Sequence, residues 1–230
     1  MLVANGNLWN AYATPRSQTM LRRAFLVTIL ATAAATVLGA PDERVILVLG
    51  DSISAGYGLT AGSGWVTLLQ QRLAVEHRPY TVVNASISGD TTAGGRARLD
   101  ALLTRYRPAI TIIELGGNDG LRGGSIDAMR QNLDAMTAAA QKAGSRVLLV
   151  GMRIPPNYGT AYVQRFGATF GEVASARKAA LVPFLFDGFG EDEAMFQPDR
   201  IHPLAAAQSK LLDNIWRGLQ PLLDAAGKTG

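Results

Sequence analysis

The sequence predicts a doubly wound α/β domain on a mainly parallel, five-stranded sheet. Two observations carry that prediction. Short, continuous apolar runs recur along the chain, as expected of strands buried on both faces. A helical pattern separates each run from the next, so the strands join through right-handed crossovers with helices on the sheet.

The elements follow in order. Val45–Leu49 is the first apolar run and the first strand. Trp65, Leu68, Leu69 and Leu73 then recur at helical spacing, and Tyr80–Asn84 is a second short strand. Leu99, Leu102, Leu103 and Tyr106 mark a helix that must stop before Pro108. Ala109–Leu115, rich in β-branched residues, is the third strand. Ile126, Met129, Leu133, Met136 and Ala140 form one helix face, with Ser125 placed to cap its start and Gly144 to end it. Arg146–Val150 is the fourth strand. A proline-rich loop, 154–158, leads to a helix expected to end near Ala180, and Leu181–Pro183 is a short fifth strand. Leu204, Ala207, Leu211, Ile215 and Leu219 make a closing helix, with Pro203 expected in its first turn. Trp65, Met129, Met136 and Trp216 fall on helical stripes and are assigned to the core, whereas His77 lies in a polar loop.

The first forty residues read differently. Met20-Leu-Arg-Arg precedes an apolar run from Ala24 to Leu38, then the small residues Gly39 and Ala40. A positive start, an apolar stretch of about 7–15 residues and a small-residue exit describe a secretory signal peptide. The run is short for a membrane span, which needs roughly 20 residues. Residues 1–40 are therefore expected to be a leader carrying a signal peptide at 20–40, with Met20 as the initiator and export to the periplasm or medium. Residues 41–230 would then be a single mature domain, since no linker, repeat or low-complexity tract divides them.

Composition narrows the chemistry. Of 230 residues, 48% are apolar and 17% charged, which excludes a disordered chain. There is no cysteine, so no disulfide, thiolate nucleophile or Cys-ligated metal. Only His77 and His202 are histidines, too few for a His-based metal cage. The net charge of +4 owes three units to Arg16, Arg22 and Arg23. Without the leader, 19 basic residues face 18 acidic ones, and no basic stripe suggests a nucleic-acid partner.

In a doubly wound sheet the working groups sit beyond the carboxyl ends of the strands. Strand one is followed by Gly50-Asp51-Ser52-Ile53-Ser54-Ala55-Gly56, strand two by Ala85-Ser86-Ile87-Ser88-Gly89-Asp90, and strand three by Gly116-Gly117-Asn118-Asp119-Gly120. Asp199-Arg200-Ile201-His202-Pro203 precedes the last helix. Each segment holds a part that acyl transfer needs. Ser52 is a nucleophile that requires a base, and His202 can be that base. Asp199 can hold the other ring nitrogen and fix the tautomer. The oxyanion needs preorganised donors, and the N–H groups of Ser52 and Gly89 with the Asn118 side-chain amide supply three.

These segments resemble the four blocks of the SGNH, or GDSL-type, hydrolases, whose namesake residues map to Ser52, Gly89, Asn118 and His202. The stretches G-D-S-I-S-A-G-Y, V-N-A-S-I-S-G-D-T, E-L-G-G-N-D-G-L-R-G and P-P-N-Y-G are closest to the periplasmic branch of multifunctional acyl-thioesterases, lysophospholipases and arylesterases. The resemblance implies a flavodoxin-like three-layer α/β/α sandwich, no metal and no organic cofactor. It also implies Asp199 as the third member of a triad. Ile154 and Pro155 match positions near the acyl groove of that branch, and Ile154, Pro155, Pro156 and Tyr158 are expected to form an apolar wall. Two departures are visible: Ile53 replaces the leucine of the family name, and Arg200 stands where glycine is usual.

The expected activity is hydrolysis of small-molecule acyl esters and thioesters through an acyl-enzyme on Ser52, with no stable protein partner implied. A carbohydrate acetylesterase with similar blocks is the alternative enzyme. A non-enzymatic small-ligand-binding module on the same fold is the alternative class, since Gly56-Tyr57-Gly58-Leu59-Thr60-Ala61 weakly matches a dinucleotide fingerprint. The glycine-rich stretches 116–120 and 122–124 are expected to be mobile.

Overall fold

The computed structural model describes residues 44–225. The leader and signal peptide expected over residues 1–40 lie outside the described residues.

Five parallel strands form the sheet in the order β2-β1-β3-β4-β5: β1 Arg44–Gly50, β2 Tyr80–Asn84, β3 Ile110–Glu114, β4 Arg146–Val150 and β5 Ala180–Val182. This is the order of flavodoxin-like doubly wound folds, in which the chain switches direction beside β1 and opens a crevice there. β1 lies in register with both neighbours, Ile46 opposite Val82 of β2 and Ile110 of β3. Every residue of β3 is buried, which is why its sequence, I-T-I-I-E, does not alternate.

The helices are α1 Ser52–Ala55, α2 Trp65–Val75, α3 Thr92–Tyr106, α4 Gly117–Leu121, α5 Ile126–Lys142, α6 Thr160–Arg177 and α7 Gln208–Ala225. α2 packs with α7 on one side of the sheet, and α3, α5 and α6 pack in a row on the other. The α5 stripe behaves as its spacing requires: Ile126, Met129, Leu133, Met136 and Ala140 are all buried. Ser125 Oγ accepts the Ala128 N–H at 3.3 Å, and Gly144 leaves the helix at φ +85°. Trp65, Met129, Met136 and Trp216 lie in the core, and His77 is exposed.

Three details differ from the sequence reading. α6 stops at Arg177, because Lys178 turns left-handed at φ 52°, and β5 starts one residue earlier than expected. Pro203 is not in the first turn of α7. It forms an antiparallel bridge with Phe196, and the bonds Gln197 N–H to His202 O and Leu204 N–H to Met195 O, both 2.8 Å, hold this stretch extended. α7 begins only at Gln208, after a 3₁₀ turn at Ala205–Ala207. Finally, Gly117–Leu121 is a helical turn rather than a loose loop. A Cβ on Gly120 would stand 2.5 Å from the Phe166 ring, so glycine here permits close packing instead of motion.

Candidate active site

The last residue of β1, Gly50, is a glycine because nothing larger fits. A Cβ there would lie 2.7 Å from Ser54 Oγ and 2.9 Å from Glu114 Oε2. Asp51 then caps α1, its Oδ1 accepting the Ile53 N–H at 3.0 Å. Ser52, the first residue of α1, stands at the carboxyl edge of the sheet.

His202 arrives from the long connection between β5 and α7. Its Nε2 lies 2.8 Å from Ser52 Oγ, and its Nδ1 lies 2.7 Å from Asp199 Oδ2. The ring nitrogen that faces a carboxylate carries the proton, which leaves Nε2 free to accept the serine hydroxyl. The other oxygen of Asp199 accepts the N–H groups of Ile201 at 2.9 Å and His202 at 3.0 Å, so the carboxylate holds both the ring and its own loop. Partial burial works against that charge. The backbone and ring donors of His202, with the Ile201 N–H, outweigh it and hold Asp199 at about 2. The centroid of the Tyr57 ring lies 4.6 Å from that of the imidazole.

Gly89 and Asn118 come from the loop after β2 and from α4. Gly89 sits at φ +78°, a conformation that suits glycine, and its carbonyl accepts a bond from Arg122 at 3.0 Å. Asn118 Nδ2 donates to Asp51 Oδ2 at 3.1 Å and to the Asp90 carbonyl at 2.9 Å. Arg200 occupies φ 57°, which explains why glycine is usual at this point of the pattern. Its guanidinium pairs with Glu193 at 3.2 Å on the surface.

Ser52, Gly89, Asn118 and His202 all border one cavity of about 870 Å³. Ile154 and Pro155 line its wall, and Ile154 is buried. Tyr158 does not line it, because its hydroxyl turns to the Leu121 carbonyl at 2.7 Å. Residues the sequence reading missed complete the wall: Met152, Phe184, Phe186 and Phe196. The aromatic cluster V-P-F-L-F-D-G-F after β5 was the available signal. Among the described residues, no group of three or more His, Cys, Asp or Glu side chains is placed to hold a metal ion.

The sequence profile of the GDSL-like lipase/acylhydrolase family matches residues 48–210. The chain belongs to the GDSL-like lipase/acylhydrolase family. This GDSL-like chain is 54% identical to the esterase TesA of Pseudomonas aeruginosa over 180 residues, 78% of this chain and 90% of the relative. It is 38% identical to the thioesterase 1/protease 1/lysophospholipase L1 of Escherichia coli over 200 residues, 87% of this chain and 91% of the relative. A crystal structure of TesA superimposes with a TM-score of 0.76 at 54% identity, covering 78% of this chain and 99% of the other. The GDSL-like protein is an enzyme, a hydrolase of carboxylic ester bonds. The dinucleotide reading of Gly56–Ala61 is not favoured.

Proposed function

We propose that the protein hydrolyses medium-chain acyl esters, acyl thioesters and lysophospholipids through a covalent acyl-enzyme on Ser52. One observation carries the assignment: the unbroken chain of hydrogen bonds from Asp199 through His202 to Ser52. In the first step Ser52 Oγ attacks the carbonyl carbon while His202 Nε2 takes the hydroxyl proton. The tetrahedral oxyanion is held by the N–H groups of Ser52 and Gly89 and by the Asn118 amide. The bond to the leaving alcohol or thiol breaks as His202 returns that proton to it. A water molecule, deprotonated by the same nitrogen, then attacks the acyl-enzyme. The acid departs and Ser52 recovers its proton.

The substrate class rests on the cavity and on the relatives' names. A space of about 870 Å³ walled by Ile154, Met152 and phenylalanines suits an acyl chain and exceeds what an acetyl group fills. The relatives are an esterase and a thioesterase/lysophospholipase. Export follows from the leader: residues 20–40 are removed as a signal peptide and a domain of about 190 residues is released. Among the described residues, no helix is long and apolar enough to cross a membrane.

The test is a fluorophosphonate label followed by a chain-length profile. The label attaches to Ser52, and p-nitrophenyl esters from acetate to palmitate give a maximum at medium length. No label and no turnover would leave a binding module. A sharp maximum at acetate, with deacetylation of sugars, would favour the carbohydrate esterase. N-terminal sequencing of the secreted protein tests the leader, and a mature chain beginning before residue 30 would refute it.

A further inference from the structure

Asp51, which precedes Ser52, and Glu114 are both 2% exposed, and the backbone of the first meets the carboxyl of the second. The reaction sequence given above uses neither. Buried carboxyls are costly unless they hold something. Glu114, at the end of β3, accepts the Ser54 hydroxyl at 2.6 Å, and the Asp51 N–H lies 3.4 Å from the same oxygen. Asp51 spreads its two oxygens over two elements, Ile53 in the serine turn and Asn118 in α4. Asn118 Nδ2 is thereby gripped at two points, by Asp51 at the cap of α1 and by the Asp90 carbonyl from the loop after β2. Asp90 is in turn braced by Arg98 of α3 at 2.7 Å.

We propose that Asp51 is a positioning residue, whose buried carboxylate locks the Asn118 amide to the Ser52 turn so that nucleophile and oxyanion donor are set in one frame. The inference rests on the roles given above to Ser52 and Asn118. It explains the order of the first block. Gly50 makes room for Glu114 and Ser54, Asp51 ties the two halves of the site, and Ser52 reacts. A free asparagine side chain would have to be ordered by the substrate at each turnover. Held at two points, it needs only to share one hydrogen with the incoming oxyanion as a three-centre bond. Glu114 supports this arrangement from the other side of the turn by accepting the Ser54 hydroxyl. Burial first, and the neighbouring Asp51 charge second, push its carboxyl well above the usual range.

A double-mutant cycle decides it. Asp51→Asn keeps size and shape but offers one acceptor oxygen, so its NH₂ group must face either the Ile53 N–H or Asn118, both donors. Asp51→Ser keeps an acceptor for Ile53 and is too short for Asn118. With p-nitrophenyl butyrate, each variant should lose about 10-fold or more in kcat while KM stays within about 3-fold, the pattern of a group acting in the transition state. In an Asn118→Ala background the same substitutions should cost less than about 3-fold, because there is no amide left to position. Equal losses with and without Asn118, or wild-type kcat in both variants, would overturn the proposal. So would failure of both variants to fold, since Asp51 would then be holding the fold rather than the amide. The wild-type control keeps the two readings apart. If it neither labels at Ser52 nor turns over, the function assigned above has failed. If it does both and the cycle is multiplicative, only the role of Asp51 has failed.

Discussion

The imidazole of His202 meets the hydroxyl of Ser52 at 2.8 Å across 150 residues of chain. The fold makes this possible because Ser52 follows β1, at the switch point of the sheet, while the β5–α7 connection returns over the same edge. Asp199 needs no such journey. It lies three residues before His202 and reaches the ring within its own turn.

Replacing Ser52 or His202 by Ala should lower kcat by several orders of magnitude, up to about 10⁶-fold, with native circular dichroism. Asp199→Asn should cost about 10²- to 10⁴-fold, because an amide can stabilise the wrong tautomer. Steady-state hydrolysis of p-nitrophenyl butyrate measures all three. Wild-type turnover by Ser52→Ala would remove the nucleophile assignment.

Asn118→Ala should lower kcat by about 10²- to 10³-fold with a smaller change in KM, the cost of one oxyanion donor. The substitution also removes the partner of Asp51 Oδ2 and of the Asp90 carbonyl. A modest fall in Tm should accompany it. A rise in KM with kcat unchanged would show that the amide binds ground state and transition state alike.

The strands and long helices were legible because their apolar spacing is a direct consequence of burial. β3 is buried along its whole length and α5 along one stripe, and both patterns stand in the sequence. Ser52, Gly89, Asn118 and His202 were legible because three follow strands and the fourth precedes a helix. α1 and α4 were not, since four or five residues are too few to show a helical period. Pro203 misled because proline suits a helix start as well as an extended bridge, and only the partner strand at Phe196 chooses between them. The phenylalanine wall was missed because Phe184, Phe186 and Phe196 lie in a connection with no repeat to reveal which face turns inward.

Arg200→Gly should stabilise the protein slightly. A non-glycine residue at φ 57° costs roughly 1–2 kcal/mol. The ion pair with Glu193 that it would lose is exposed on both sides, and such pairs contribute about 0–1 kcal/mol. Glycine gives back part of the gain by loosening the unfolded chain, by about 0.4–1 kcal/mol. The net expectation is a small rise in Tm, read by scanning calorimetry. A fall of several degrees would mean that the Arg200–Glu193 pair matters more to the His202 loop than its exposure suggests.

Glu114→Gln should change how stability depends on pH. In the folded protein burial, then the Asp51 charge, hold Glu114 well above its ordinary range, and burial pushes Asp51 up to about 6. Both groups therefore bind protons more tightly when folded than when unfolded. Stability falls wherever the folded state holds the extra proton, so the wild type should weaken as pH rises from about 4, the ordinary carboxylate range, through 6 and beyond. Glutamine still accepts the Ser54 hydroxyl and carries no charge to ionise. The Tm of Glu114→Gln relative to wild type should consequently climb as pH goes from 4 to 8, in denaturation series at matched ionic strength. A difference that stays flat with pH would show that Glu114 does not carry the raised proton affinity its burial demands.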